Sequence, residues 1–246
     1  MKLKLLSWNI WGGTYRKEII DFLRTANPDI IALQEVIEDE NGNTAITIAK
    51  ELGYESVSAL DMETSSRWSD PTREREEIIK FGNAILAKPT YKIVNSQAIV
   101  LSESERRVAI QADIIVGDTN LHVFSVHLKH DHPKKSDPKN VALQKEQTDK
   151  LLSVMPSERV IAMGDMNNIP GSYAVDTMSK VLQNAGEHSD VPTWSLYPDT
   201  CDICPLNGVE YKFDYIFTSK DMKADSFEVG QSKGADHLPV SAVIEI

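Results

Sequence analysis

Apolar positions along the chain come in short runs divided by polar turns, and the spacing within each run predicts the element it forms. Leu3 to Ser7 reads as a short strand ending at Trp8-Asn9. Ile19, Ile20, Leu23 and Ala26 then recur at helical spacing, closed by Asn27-Pro28. "DIIALQEV" is a buried strand running into Gln34-Glu35, and a second helix over about 44–52 ends at Gly53, as a capping glycine would end it. Residues 60–80 are polar and lack strand alternation, which predicts a long loop with at most a helical turn. A meander follows: "NAILAK", "YKIVNSQAIV", "RVAIQADIIV" and "LHVFSVHL", joined by turns with hairpin chemistry. A helix over about 138–154 has Ser136 or Asp137 placed to cap it. After it come the strand "VIAMGD", a helix over roughly 172–184, an irregular stretch to Tyr211, and three closing strands. No repeat or linker divides residues 1–246, so the pattern predicts a single domain. Many strands with a few helices between them predict an α/β fold, a sandwich of sheets covered by helices.

Composition adds a constraint. Apolar residues make up 41% and charged residues 26%, an ordinary balance with material for a core. No apolar run reaches membrane-spanning length, which predicts no membrane insertion. The start "MKLKLLSWNI" meets Trp8-Asn9 before a signal-peptide apolar region forms, so the chain reads as unexported and cytoplasmic. Its two cysteines, Cys201 and Cys204, agree with a reducing compartment. The net charge of −11 speaks against a protein that grips duplex DNA along a basic stripe. A phosphate-bearing substrate would have to be met locally, by a metal or a confined basic patch.

The stretch "VIAMGDMNNIPGS", residues 160–172, shows where such a site would lie. It ends a buried strand in Asp165 and Asn167, two residues apart; an Asx turn is the plainest reading of that pair. Strand directions argue for more. If the strands ending in Asn9, Glu35, His127 and Asp165 all run one way, their antiparallel partners start at the same edge. Those partners carry Asn83 and Arg107 near their starts, and the closing strands begin after Asp214 and after Asp236-His237. One assumption sends every conspicuous polar residue to one rim, and sends the turns at 88–90 and 117–120 to the opposite end. Asn9 and Glu35 are then hard oxygen ligands suited to Mg²⁺ or Mn²⁺. Asp165 and Asn167 would orient a water and hold a phosphoryl oxygen. Asp214 would orient His237, and His127 would donate to oxygens that gain charge in the transition state. His127 shares a strand face with Val123 and Ser125, whereas His122 lies on the other face and serves no common site.

"SWNI", "PDIIALQEV", "GNAIL", "SVHL", "GDMN", "FDYIF" and "DHLPV", in this order, resemble the endonuclease/exonuclease/phosphatase superfamily from Ser7 to Val240. The resemblance implies a deoxyribonuclease I-like two-sheet β-sandwich flanked by helices, and a Mg²⁺- or Mn²⁺-dependent phosphoesterase. It implies catalytic roles for His127, Asp165, Asn167, Asp214 and His237, with Asn9, Glu35 and Asp236 as the metal set. Two departures matter. Several DNA-repair members carry an acidic residue where this chain has Trp11, and the inositol-phosphatase branch has an Arg after its "GDxN" motif, where Asn168-Ile169-Pro170 stand here.

The resulting expectation is a monomeric hydrolase of phosphodiester bonds, in nucleic-acid ends or single strands of DNA or RNA. A phosphomonoesterase and a lipid-headgroup phosphodiesterase are the enzymatic alternatives, and a catalytically dead binding module of the same fold is the other. Arg107, Asn83, Lys134 and Lys135 are the candidate substrate contacts, the two lysines within the basic run from Lys129 to Lys139. Cys201 and Cys204 have zinc-like spacing but no second ligand pair, so they are expected in a packed or incidental loop. His130-Asp131-His132 reads as a solvated loop, and Arg67-Trp68 with Arg73 and Arg75 as an exposed loop able to stack on a base.

Overall fold

The computed structural model describes residues 1–66, 76–197, 204 and 208–246. Arg67, Trp68, Arg73, Arg75 and Cys201 lie outside the described residues.

Two sheets are stacked face to face, with helices on both outer surfaces. The first sheet has the order β12-β13-β1-β2-β5-β4, with a two-residue strand β3 on β2. Its strands are β1 Lys2–Asn9, β2 Ile30–Asp39, β3 Gly42–Asn43, β4 Glu55–Ser65, β5 Ile78–Ala87, β12 Lys223–Val229 and β13 Val240–Glu245. The second has the order β10-β11-β9-β8-β7-β6. It is built from β6 Lys92–Ser102, β7 Arg107–Val116, β8 Thr119–His127, β9 Val160–Asp165, β10 Gln183–Asn184 and β11 Asp214–Thr218. Helices α1 Arg16–Ala26 and α2 Thr44–Leu52 cover the first sheet; α3 Pro138–Val154 and α4 Tyr173–Val181 cover the second.

Period-two alternation explains the layers. On β1, Leu3 and Leu5 enter the core between the sheets, while Leu6 and Trp8 pack under the helices with Ile19, Leu23 and Ile48. On β8, Leu121 and Val123 face inward, and Phe124 and Val126 face α3 and α4. The helix ends are set as the sequence predicts. Gly53 caps α2 in the left-handed conformation, and the Asp137 carboxylate accepts the Lys139 N–H at the start of α3.

Three expectations need correction. Residues 60–80 are not one long loop, because β4 runs to Ser65 and β5 begins at Ile78. Polar side chains hid the end of β4 and Gly82 divided the start of β5 from its apolar run; the two extensions pair with each other from Met62↔Phe81 to Ser65↔Ile78. The four strands read as a meander divide between sheets: β5 belongs to the first, and only β6-β7-β8 form consecutive hairpins. Finally, Glu35 does not end its strand. β2 continues to Asp39, and Glu35 sits in it as a bulge with φ +57° between Gln34 and Val36.

Candidate active site

Each inward-facing set of core residues ends, at the same rim, in a polar side chain. Leu3 and Leu5 are followed by Ser7 and Asn9, Val123 by Ser125 and His127, and Ile161 and Met163 by Asp165. On β11, Ile216 is preceded by Asp214. All six of these polar residues are buried. A chain of hydrogen bonds ties the two sheets together just below the rim. Gln34 donates to Ser125 Oγ (3.0 Å), and Ser125 Oγ donates to the Leu33 carbonyl (3.0 Å).

Asp165 is the hub. It pairs with His127 across the parallel β8–β9 ladder. That register requires Gly164, since a Cβ there would lie 1.9 Å from the Val126 carbonyl oxygen. Asp165 Oδ1 accepts the Asn167 N–H (2.7 Å), so the Asx turn does form. Asp165 Oδ2 accepts from Asn9 Nδ2 (3.1 Å) and lies 3.5 Å from His127 Nε2 and 3.6 Å from His237 Nε2. The turn and the site are therefore one structure. His237 Nδ1 meets Asp214 Oδ2 at 2.9 Å.

The rest of the site frames this hub. Asn9 gives its amide N–H to Asp165 and takes the Trp11 N–H on its oxygen (3.2 Å), so both ends of the amide are engaged by protein. Asp236 Oδ2 accepts from Trp194 Nε1 (3.1 Å), while its Oδ1 is shut from solvent without a hydrogen-bond partner. Asn167 donates Nδ2–H to the Leu128 carbonyl (3.0 Å), which turns its oxygen toward His130 Nδ1 at 2.6 Å. A cavity of about 340 Å³ opens over these groups, lined by Glu35, Arg107, His127, His130, Asp165, Asn167, Asp236 and His237 together with Trp11, Phe81 and Trp194.

Burial sets the protonation states. It pushes Glu35 up to about 8, with Asp236 adding to the rise. It pushes Asp165 up to about 7 against the opposing pull of His237, and it raises Asp236 as well. For His237 burial disfavours the charge, but Asp214, Asp165 and Asp236 together outweigh it and hold the imidazole well above its ordinary value. Burial, then Arg107 and His237, hold His127 well below its ordinary value, so it is neutral. Burial also lowers Arg107, whose guanidinium keeps one nitrogen, Nη1, enclosed and unpartnered.

Among the described residues, four carboxyl groups here, Glu35, Asp165, Asp214 and Asp236, face two cationic side chains, Arg107 and His237. Such an excess of buried oxygen donors fits a hard divalent cation. Asp165, Asp214 and His237 lie close enough together to be read as a ligand trio. The Asp214–His237 hydrogen bond already occupies two of those ligand atoms, however. Glu35, and the Asp236 oxygen that has no hydrogen-bond partner, are further carboxylate donors lining the same cavity.

Not every candidate reaches the cavity. Asn83 lies mid-strand on β5, fully buried, and donates to the Val108 carbonyl between the sheets. It lacks access because β5 starts five residues earlier than the apolar run suggests. Lys134 is exposed and paired with Glu210 (2.6 Å), and neither it nor Lys135 lines the cavity. His130-Asp131-His132 is not a solvated loop. Asp131 and His132 are buried, and His130 packs edge-on against Trp194 and Phe213. Cys204 is disulfide-bonded, which removes it as a zinc ligand. Sequence reasoning marked the position of Trp11 through the family resemblance but did not place Thr64, Phe81, His130, Trp194 or Cys204 in the cavity. The only available signal was the three-residue step from His127 to His130 beside a strand end.

The Endonuclease/Exonuclease/phosphatase family matches residues 6–237. No curated protein sequence matches the chain. Solved structures share its fold at low identity. An endonuclease/exonuclease/phosphatase from Beutenbergia cavernae DSM 12333 is 18% identical with a TM-score of 0.77, over 100% of this chain and 72% of that one. The human Nocturnin catalytic domain with bound sulfate anion is 19% identical with a TM-score of 0.72, over 99% and 93%. A mannosyl-6-phosphatase of Bacteroides thetaiotaomicron VPI-5482 is 17% identical with a TM-score of 0.68, over 99% and 100%. Because the family match spans nearly the whole chain, from β1 to His237, the chain belongs to the Endonuclease/Exonuclease/phosphatase family.

Proposed function

We propose that the protein is a Mg²⁺- or Mn²⁺-dependent phosphodiesterase whose cavity holds the scissile phosphate over Asp165 and the Asp214–His237 pair. The observation that carries this reading is the hub at Asp165 Oδ2, which faces Asn9 and two imidazole nitrogens within 3.6 Å. Asp165, pushed up to about 7, is matched to accept a proton from an attacking water near neutral pH. His237, kept protonated by its carboxylate neighbours, offers an Nε2–H to a non-bridging phosphoryl oxygen as charge builds there. Neutral His127 and the amide of Asn167 orient the remaining oxygens, and Arg107 supplies a buried positive charge from the cavity wall. Glu35 and Asp236 would hold the cation, which when bound polarises the phosphoryl group and offsets the local negative charge.

Charge favours a diester over a monoester. A diester brings one negative charge to a site where carboxyl groups already outnumber cations, whereas a monoester dianion brings two. The test is turnover of thymidine 5′-(4-nitrophenyl) phosphate and of 4-nitrophenyl phosphate with Mg²⁺ or Mn²⁺. The diester should be hydrolysed faster, and EDTA should stop the reaction. Faster monoester hydrolysis would make the protein a phosphomonoesterase. Tight binding of phosphoesters with no turnover would make it a binding module.

A further inference from the structure

Helix α3 buries polar side chains where a helix covering a sheet normally buries aliphatic ones. Its enclosed positions are Gln144, Gln147, Thr148 and Leu151, the i, i+3, i+4, i+7 stripe that usually carries the apolar face. Gln144 is 3% exposed and Gln147 is fully enclosed. Burying a carboxamide is unfavourable unless its polar atoms find partners, and a leucine at either position would avoid that penalty. The partners of the two glutamines therefore explain their presence.

Gln144 holds two loops at once. Its Nε2 donates to the Lys129 carbonyl (2.6 Å), just past β8, and to the Asn167 carbonyl (3.1 Å), just past β9. Its Oε1 accepts from Asn168 Nδ2 (2.7 Å). These bonds grip the chain at Asn167, whose φ is +50°. Asparagine tolerates that left-handed conformation, and surrounding bonds must hold it there. Asn167 turns its Nδ2 to the Leu128 carbonyl (3.0 Å), which can only accept, so its Oδ1 is the atom 2.6 Å from His130 Nδ1. An amide oxygen accepts too, so His130 carries a proton on Nδ1. Burial lowers this imidazole below its ordinary value, and its Nε2 is enclosed without a partner. Asn167 and His130 line the cavity, and Gln144 does not.

We propose that Gln144 is a positioning residue of this site, a clasp on the loops after β8 and β9 that sets the amide of Asn167 and fixes His130 as its Nδ1–H tautomer. The proposal takes its reaction from the phosphodiesterase reading above, but the clasp itself is independent of the bond cleaved. Gln147 provides the comparison. One turn further along α3, it accepts the Lys129 N–H (2.8 Å) and donates to Ser102 Oγ (3.0 Å). Among the described residues it makes no hydrogen bond to the turn at 165–168.

The test compares Gln144→Leu and Gln147→Leu with the wild type. One readout is turnover of thymidine 5′-(4-nitrophenyl) phosphate with Mg²⁺. The other is the nitrogen NMR shifts of the imidazoles at pH 8, which report the tautomer, with His130 assigned by its loss in His130→Gln. Gln144→Leu should lower kcat about 10- to 100-fold, the scale of lost supporting bonds, and change KM less than about threefold. It should also convert His130 from the Nδ1–H form to a mixture of tautomers. Gln147→Leu should lower the melting temperature and leave the His130 tautomer as it is. If Gln144→Leu does not fold, Gln144→Met, of the same length, carries the same test. A wild-type His130 in the Nε2–H form would overturn the clasp before any variant is made. So would wild-type kcat and tautomer in the Gln144 variant, or the same tautomer change in Gln147→Leu. If the wild type does not hydrolyse the diester, the NMR arm still decides: a tautomer change confined to the Gln144 variant keeps the clasp, and only the phosphodiesterase reading falls.

Discussion

His237 Nδ1 and Asp214 Oδ2 lie 2.9 Å apart, and they join the two sheets of the sandwich. Asp214 opens β11 in the second sheet, while His237 stands three residues before β13 in the first. Neither residue is more than 4% exposed. A carboxylate so placed fixes which ring nitrogen faces the cavity and keeps the imidazole charged.

Two residues acting as one group should show non-additive losses. Asp214→Asn and His237→Gln should each lower kcat on the nucleoside diester by about two to three orders of magnitude. The double variant should be little worse than the worse single. A double loss equal to the product of the singles would show that the two side chains contribute independently, and the pairing would then have no catalytic meaning.

Asp165→Asn should reduce kcat by about two to four orders of magnitude, since it removes the proposed proton acceptor. The fold should survive, because Asn can still accept the Asn167 N–H that closes the turn. Removing a carboxyl that burial pushes up to about 7 should leave the melting temperature at pH 8 unchanged or higher. Wild-type turnover in this variant would reduce the motif to its turn.

What the sequence shows of this site follows from strand periodicity. Asn9, His127, Asp165 and Asp214 each continue or begin an inward-facing alternation, so their meeting at one rim is readable once strand directions are assigned. Glu35 breaks that rule. Gln34 keeps the inward register and Glu35 reaches its position through a left-handed bulge, which no alternation pattern encodes. Asn83 shows the reverse error: its strand begins at Ile78, five residues earlier and across Gly82, so its apparent place at a strand start is false. Trp194 and His130 come from segments without periodicity. Their positions depend on packing with Phe213 and Tyr211, contacts between residues far apart in the chain.

Arg107 and the two lysines should separate sharply. Arg107 lines the cavity with its Nη1 enclosed and unpartnered, whereas Lys134 is exposed and already bound to Glu210. Arg107→Gln should cost about 100-fold in kcat/KM on the small diester, since a buried charge acts at low dielectric. Lys134→Ala with Lys135→Ala should change it by less than about threefold, because exposed charges are screened. Kinetics across a salt series check both. A larger loss from the lysine pair would move substrate binding out of the cavity and onto the loop.

The metal-free protein should lose stability as pH rises from 6.5 to 8.5. Glu35 is raised from 4.5 to about 8 and Asp165 from 3.8 to about 7, so in this window the folded state holds protons that the unfolded chain has released. His237, raised above 6.5, works in the same direction: its contribution is complete below 6.5 and is lost as pH climbs through its folded value. His127 and His130 are lowered from 6.5, so their contributions change below this window and do not reverse the slope. With more protons bound in the folded state, stability must fall with pH. A cation held by Glu35 and Asp236 competes with those protons, so its stabilisation should grow over the same interval. Melting temperatures at pH 6.5, 7.5 and 8.5, with EDTA or with Mg²⁺, test both halves. The EDTA curve should fall and the Mg²⁺ increment should rise. A flat EDTA curve would mean these carboxyl groups ionise without penalty, and an increment independent of pH would place the cation away from Glu35.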